Sequence, residues 1–288
     1  MSRRIKLLIV AALAVPWAPA IWHLADAGRT NEYAGHAMFV PLFSAVIAWV
    51  QRDRLKAAAG PGHAWGFLVL AVGMTLLGLG YQMKSDVLHG LALSVAAAGA
   101  VLWIWGRACL RAAIFPVAFL VMMAPLPLPV VAKVTLHLQV FAASFAASAV
   151  RLVGIPVYQT GFTLELPTLK LHVAEICNGL RFLVALIVLT AAFAQVTIPS
   201  RRRRIALVLA AVPVAVVANA MRVAAIAFGV EYIGPEAASG TIHNWIGKGM
   251  WALTLLPLAA AGWWLSRSPA DLKRQDGGPI AARESGLA

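Results

Sequence analysis

The chain has 288 residues, of which 61% are hydrophobic and only 12% are charged. Soluble domains carry about 25% charged residues, so this composition excludes an ordinary soluble protein and indicates one that is solvated by lipid. The net charge of +13 would point to nucleic acid in a soluble protein, but in a membrane protein it is typical of basic cytoplasmic loops.

Apolar runs follow one another along almost the whole chain. About 20 residues, at a rise of about 1.5 Å each, cross a hydrocarbon core, so nine runs are candidate spans, although the fifth is short. We interpret the first run as an uncleaved span rather than a signal peptide, because more spans follow it. In chain order the runs are Leu7–Ala25, Gly35–Val50, Ala64–Tyr81, Val87–Trp105, Ala112–Ala124, Val130–Val153, Leu180–Ile198, Ile205–Val230 and Trp245–Leu265.

Basic residues set the predicted topology through the positive-inside rule. If every run crossed, the Arg201 to Arg204 cluster would lie outside, so one run must not cross. Val130–Val153 is the most polar run, and we expect it to be an outer interfacial or re-entrant helix beside about eight transmembrane helices, with both termini cytoplasmic. The same rule predicts a cytoplasmic position for the basic residues of the other loops and of both termini: Arg3, Arg4, Lys6, Arg52, Arg54, Lys56, Arg107, Arg111, Arg267, Lys273, Arg274 and Arg283.

The predicted fold class is therefore an all-α polytopic membrane protein. One exception is expected: Tyr158 to Val173 mixes β-branched and aromatic residues with Gly161 and Pro167, which predicts a short extended segment or hairpin on the outer side. Residues 1–268 are expected to form a single transmembrane domain. Residues 269–288 are polar and are expected to be a disordered cytoplasmic tail.

The chain has only two cysteines, Cys109 and Cys177. Cys109 lies between Arg107 and Arg111 in a predicted cytoplasmic loop, so a disulfide with the outer Cys177 is not expected. Two cysteines provide neither a disulfide framework nor a zinc site. The seven histidines include no i, i+4 pair of the kind that binds zinc on a helix, so we expect no metal and no cofactor.

Cys177 lies where the run Leu180–Ile198 is about to begin. A helix N-terminus and a nearby cation lower the pKa of a thiol and favour the nucleophilic thiolate. Arg181, four residues on, would supply that cation from the same helical face. Glu175 is a candidate base, or else a carboxylate that caps the helix. From these residues alone, Cys177 remains equally open to being a small buried hydrophobic residue.

Two further segments are predicted at the same outer level. Arg222 lies inside an apolar run, where an ionisable side chain is expensive and usually faces a polar cavity, although snorkelling to the interface is the alternative. Asn219 shares its helical face. His243 is a candidate general base because its pKa is near neutral, or else an interfacial histidine. Gly247 follows one turn later and would let another helix approach closely.

Together the three segments resemble the exosortase/archaeosortase family, whose pattern is E-x-C-x-G-[LI], then N-x-x-R, then H-x-x-x-G. The resemblance is confined to residues 173–251. Asn178 departs from the small Ser or Ala often found after the cysteine, which leaves the subtype open. Here the segments read Glu175-Ile176-Cys177-Asn178-Gly179-Leu180, Asn219-Ala220-Met221-Arg222 and His243-Asn244-Trp245-Ile246-Gly247.

The resemblance implies a membrane-embedded cysteine protease or transpeptidase, in families often linked to exopolysaccharide. Its substrates would be exported proteins that end in a short motif such as PEP, a transmembrane helix and a basic tail. Cleavage would occur on the periplasmic side of the bacterial inner membrane, with transfer to a glycan or lipid-linked acceptor. The implied catalytic residues are Cys177, Arg222 and His243, supported by Glu175, Asn178, Gly179, Arg181, Asn219 and Gly247.

Two non-enzymatic alternatives remain from the residues. In a transporter or channel, Arg222 and the polar residues near Lys133 would line a pathway. In an assembly factor for surface polysaccharide, the outer loops would bind a lipid-linked sugar. Against a transporter, the chain has no visible inverted repeat, and Pro213 is an isolated helix break rather than one of a pair.

Overall fold

The computed structural model describes residues 15–30, 35–173 and 179–267. Most of these residues are helical. The predicted tail, 269–288, and residues 7–14 of the first predicted run lie outside this part. The α-helices are α1 Ala18–Thr30, α2 Val40–Val50, α3 Arg52–Ala58, α4 Trp65–Met83, α5 Asp86–Ala112, α6 Ile114–Phe119, α7 Leu128–Leu152, α8 Leu180–Thr197, α9 Arg201–Tyr232 and α10 Gly240–Ser266, and the 3-10 turns are Val15–Trp17, Ala37–Phe39, Leu120–Met123 and Pro235–Ala238.

Five of the described helices, α4, α5, α7, α8 and α9, are long and apolar enough to cross a membrane. The chain is therefore an all-α polytopic membrane protein, as predicted, whereas the number of eight spans stays a prediction. Ala37–Val50 and Ile114–Met123 form shorter apolar helices. The second of these is the predicted fifth span, and its ten residues reach only about 15–20 Å, against a hydrocarbon core of about 30 Å.

α7 covers the run that was predicted to lie at the outer interface. Its 25 residues are also sufficient to cross a membrane, so its length alone does not distinguish the two arrangements, and the outer position stays a prediction. The second half of α7 is buried along a face of small residues, each at most 1% exposed: Ala142, Ala143, Ala146, Ala147 and Val150.

Three short strands lie between α7 and α8: β1 Tyr158–Thr160, β2 Thr163–Glu165 and β3 Lys170–His172. They form one antiparallel sheet in the order β1-β2-β3. The extended segment predicted before the cysteine motif is thus present, with one strand more than a single hairpin. Leu164 and Leu171 oppose each other in the register and are both buried, so one face of the sheet is packed against the protein.

The helices group into two compact units. The first contains residues 1–139 and 174–188, and the second contains residues 140–173 and 189–288. The single transmembrane domain predicted over residues 1–268 stays a prediction.

In the first unit, α4 and α5 pack antiparallel through glycines spaced seven residues apart on α4. A Cβ atom at Gly66, Gly73 or Gly80 would lie less than 3 Å from atoms of α5. The residues it would meet have the same spacing on α5: Trp103, Ala96 and His89. Small residues let helix backbones approach closely, which is a main source of helix packing in lipid. The glycine spacing therefore fixes how these two helices align.

Cys109 lies in the last turns of α5, not in a loop, so that part of the sequence prediction was wrong. Gly106, with φ of +81°, is not helical and interrupts α5, and a second helical segment follows it to Ala112. The Cys109 side chain is buried, and its Sγ lies 3.9 Å from the carbonyl oxygen of Leu55 in α3.

Candidate active site

The second unit contains a long antiparallel hairpin formed by α9 and α10. At one end, Arg203 Nη1 donates to the carbonyl oxygen of Leu265 over 3.3 Å. At the other end, the short 3-10 turn Pro235–Ala238 joins the helices. Gly229 allows this turn to pack closely, because a Cβ there would lie only 2.8 Å from Cβ of Ala237.

This hairpin brings together two of the three predicted catalytic residues. Arg222 Nη2 lies 2.8 Å from His243 Nε2, in the half of the hairpin next to the 3-10 turn. Both side chains are partly buried. A guanidinium can only donate and stays protonated in proteins, so Nε2 is the acceptor. His243 is therefore neutral in this arrangement, with its proton on Nδ1.

The surroundings of His243 disfavour its charged form. His243 lies in the first turn of α10, ahead of the apolar run that starts at Trp245. Burial lowers the pKa of this imidazole, and the positive charge of Arg222 lowers it further. Both causes act in the same direction as the hydrogen bond, which also requires a neutral acceptor.

Two of the predicted supporting residues lie next to Arg222. A Cβ atom at Gly247 would be 3.6 Å from both Cζ and Nη2 of Arg222, so this glycine faces the guanidinium at ordinary contact distance. Asn219 precedes Arg222 by three residues in α9, and its side chain is only 6% exposed. Arg222 Nε is buried and makes no hydrogen bond to any residue that the structure describes.

The cysteine segment is described only from Gly179 onward. Glu175, Cys177 and Asn178 lie outside the described residues, so their predicted roles rest on the motif. Gly179 is buried and has φ of +79°, a left-handed conformation in which other residues are strained. The backbone conformation thus explains why the motif has a glycine here, directly before α8 begins.

The left-handed turn at Gly179 bears on the predicted role of Arg181. α8 begins at Leu180, and Gly179 is not helical, so the helical i, i+4 spacing between Cys177 and Arg181 does not continue through it. Arg181 is exposed in the first turn of α8. Its predicted support for the thiolate therefore cannot be derived from a shared helical face.

Glu231 is a contributor that the sequence reasoning missed. Its carboxylate accepts two hydrogen bonds from Thr168 in the β2–β3 turn, from the backbone N over 3.2 Å and from Oγ1 over 2.9 Å. A signal was present, because a carboxylate at the C-terminal end of a helix opposes the helix dipole and needs a partner. The contact attaches the sheet to the end of α9, nine residues beyond Arg222.

No group of three or more His, Cys, Asp or Glu side chains among the described residues is placed to hold a metal ion. Arg222 and His243 form a part-buried polar pair in the second unit. Such a pair can donate to a developing oxyanion and exchange a proton, which are the two functions that acyl transfer to a nucleophile needs.

Comparison with known proteins assigns the family. The profile of the transmembrane exosortase family matches residues 27–260, which include all three motifs and most of the helices described above. No curated protein and no solved structure matches the chain. Because the match covers well over half of its length, the chain belongs to the transmembrane exosortase family.

Proposed function

We propose that the chain is a cysteine protease and transpeptidase that cleaves the C-terminal sorting signal of exported proteins at the outer face of the bacterial inner membrane. The observation that carries the proposal is the 2.8 Å contact between Arg222 and His243. It joins two motifs that are 21 residues apart and that the family resemblance marks as catalytic. The family match supports the third member, Cys177.

The proposed reaction starts when the Cys177 sulfur attacks the scissile carbonyl carbon and its thiol proton passes to His243. The tetrahedral intermediate collapses to a thioester as His243 returns the proton to the leaving amine. Water or a glycan or lipid-linked acceptor then attacks the thioester and loses its proton to His243, which passes that proton to the departing sulfur and so regenerates the thiol. Arg222 stabilises the negative oxygen in both halves.

The observed hydrogen bond adds an order of events to this scheme. Nε2 is the ring nitrogen that must take up a proton, and Arg222 occupies it in the structure. Protonated imidazole cannot accept from a guanidinium, so proton uptake requires Nη2 to leave the ring. A substrate carbonyl oxygen would offer Nη2 a new acceptor. The proposal is thus that substrate binding draws Arg222 away and frees His243 to act as base.

The length of the hairpin supports a site at the outer face. Arg203 and Arg222 are separated by 19 residues of α9, which is about 28 Å along a helix. That length is close to the thickness of a hydrocarbon core, about 30 Å. With the Arg201 to Arg204 cluster on the cytoplasmic side by the positive-inside rule, Arg222 and His243 lie near the opposite surface.

Contacts within the first unit support an outer end for the fifth predicted span, which leaves α7 as the run that does not cross. His36 Nε2 lies 3.0 Å from the carbonyl oxygen of Met122, and a Cβ at Gly90 would clash with Ala124. His36 and Gly90 are near the beginnings of the second and fourth predicted spans, which are their outer ends in the predicted topology. The chain therefore approaches α7 from the outer side.

The test is cleavage of an exported reporter that ends in a PEP-type motif, a transmembrane helix and a basic tail, co-expressed with the protein. We expect the tail to be removed by the wild type and by Cys109→Ser, the matched control on the other cysteine, but not by Cys177→Ala. Normal processing by Cys177→Ala would overturn the proposal.

A second measurement separates the enzyme from a transporter or a polysaccharide assembly factor. A thiol-reactive mimic of the cleavage motif should form an adduct at Cys177 at a rate that drops in His243→Gln. An adduct that forms equally in both, or only at Cys109, contradicts the assignment of His243 as the base.

A further inference from the structure

The third strand of the sheet has an open hydrogen-bonding edge. Phe162 and Val173 form a hydrogen-bonded pair, as do Leu166 and Leu169, because Val173 N donates to Phe162 O and Leu166 N donates to Leu169 O. Hydrogen-bonded and non-bonded pairs alternate along an antiparallel ladder. The backbone N–H and C=O groups of Lys170 and His172 therefore point away from β2.

No strand of the described residues lies beside that edge, since β3 ends the sheet order. The side chains of Lys170 and His172 are exposed, and each is held on the open face by a residue of β2. Lys170 Nζ lies 2.8 Å from Glu165 Oε1, and His172 Nδ1 lies 2.9 Å from Thr163 Oγ1. These contacts order the strand without using its outward backbone groups.

The opposite edge of the sheet differs. Arg151 reaches it from α7 and donates from Nε and Nη2 to the carbonyl oxygen of Val157, which directly precedes β1. Gln159 Nε2 donates to Ser144 Oγ of α7 and to the carbonyl oxygen of Gly161. Side chains of α7 thus pack along the β1 side, whereas no described residue makes a hydrogen bond to the outward backbone groups of Lys170 and His172 on β3.

β3 is also tied to the proposed catalytic elements at both of its ends. The turn that precedes it is attached to Glu231, about 14 Å along α9 from Arg222. The chain that follows it leads to Cys177 five residues after His172, which limits the separation to about 18 Å. An extended peptide paired along β3 would therefore run close to the proposed chemistry.

Resting on the proposed function, we propose that the outer edge of β3 binds the substrate as an added strand. The occupant is the extended segment of the sorting signal around its cleavage motif, which pairs through its backbone with the N–H and C=O groups of Lys170 and His172. Main-chain pairing gives affinity with little demand on side chains, and every second residue of the peptide faces the sheet edge. Such recognition suits a short motif in otherwise different proteins.

The first test places proline on each edge of the sheet. Proline is tolerated where a strand N–H points outward, but it removes that donor and blocks a neighbouring strand. We expect His172→Pro to raise KM for reporter cleavage at least tenfold with a smaller change in kcat, and Gln159→Pro, on the β1 edge, to leave both within about twofold. Equal KM values for His172→Pro and wild type overturn the proposal.

A second test leaves the protein unchanged, in case His172→Pro fails to fold. Synthetic peptides that cover the cleavage motif, each N-methylated at one position, compete with the reporter for the wild-type enzyme. Strand pairing predicts that inhibition is lost at alternate positions only. Uniform loss, or none, contradicts it. If the wild type does not cleave the reporter at all, the proposed function itself fails, and this outcome is distinct from cleavage without dependence on β3.

Discussion

Arg222 Nη2 and His243 Nε2 lie 2.8 Å apart across the α9–α10 hairpin, and the guanidinium keeps the imidazole neutral. Burial and the charge of Arg222 hold the pKa of His243 below its usual value of 6.5. As the pH falls through 6.5, the unfolded chain takes up a proton at this residue before the folded chain does. The free energy of unfolding therefore decreases in that range and levels off below the folded pKa.

We expect this loss of stability to appear as a fall in Tm of the purified protein when the pH is lowered from about 7.5 to 5. In His243→Gln the fall should be smaller, because one group that resists protonation in the folded state is gone. Superimposable pH profiles of Tm for wild type and His243→Gln would show that the imidazole is not coupled to folding.

Gly247 should control the position of the Arg222 guanidinium. A Cβ atom at Gly247 would lie 3.6 Å from the guanidinium, which is ordinary contact, so Gly247→Ala should be tolerated and Gly247→Leu should displace Arg222. A displacement of about 1 Å at a catalytic group can cost roughly 100-fold in rate, and we expect a drop of this order in reporter cleavage. Gly249 faces open space, so Gly249→Leu is the matched control and should cleave at the wild-type rate.

Gly73 should be essential for the packing of α4 on α5. A leucine there would overlap the backbone of Ala96, and overpacking of this kind costs about 1–3 kcal/mol or more. Gly78 lies on the same helix with no atom nearby, so Gly78→Leu should be neutral. In a Cys177→Ala background, alkylation of the buried Cys109 reports unfolding. Equal alkylation rates in the two leucine variants would contradict the predicted packing.

Gly179 should be required for its left-handed backbone. Alanine in this conformation is strained by about 1–2 kcal/mol, whereas asparagine is among the residues that adopt it more readily. The expected order of thermal stability is Gly179, then Gly179→Asn, then Gly179→Ala. If Gly179→Ala matches the wild type in Tm, the turn before α8 does not depend on the left-handed conformation.

Hydropathy predicted the long helices well because lipid demands both an apolar surface and internally satisfied backbone groups. The predicted runs 64–81 and 180–198 correspond closely to α4 and α8. Hydropathy was less informative for Ala112–Ala124, because it does not show that a run of apolar residues breaks into α6 and a 3-10 turn. It ended the fourth run at Trp105, directly before the non-helical Gly106, and missed the helical segment that follows to Ala112.

The proximity of Arg222 and His243 could be predicted because one short connection joins two helices whose polar residues lie near that connection. The hydrogen bond between them could not, since it depends on how each helix is rotated about its axis, which the sequence pattern does not give. The argument for Arg181 failed for a local reason. Helical spacing was applied across Gly179, whose backbone is left-handed.

The seven-residue spacing of Gly66, Gly73 and Gly80 also restricts motion. If α4 slid along α5 by a single turn, each glycine would lose its close partner and a larger side chain would face the α5 backbone. Only a shift of seven residues, about 10 Å, would restore glycine contacts, and it would leave one end of the pair unmatched. These two helices are therefore expected to keep their relative alignment during turnover, so a substrate would not be admitted by sliding one along the other.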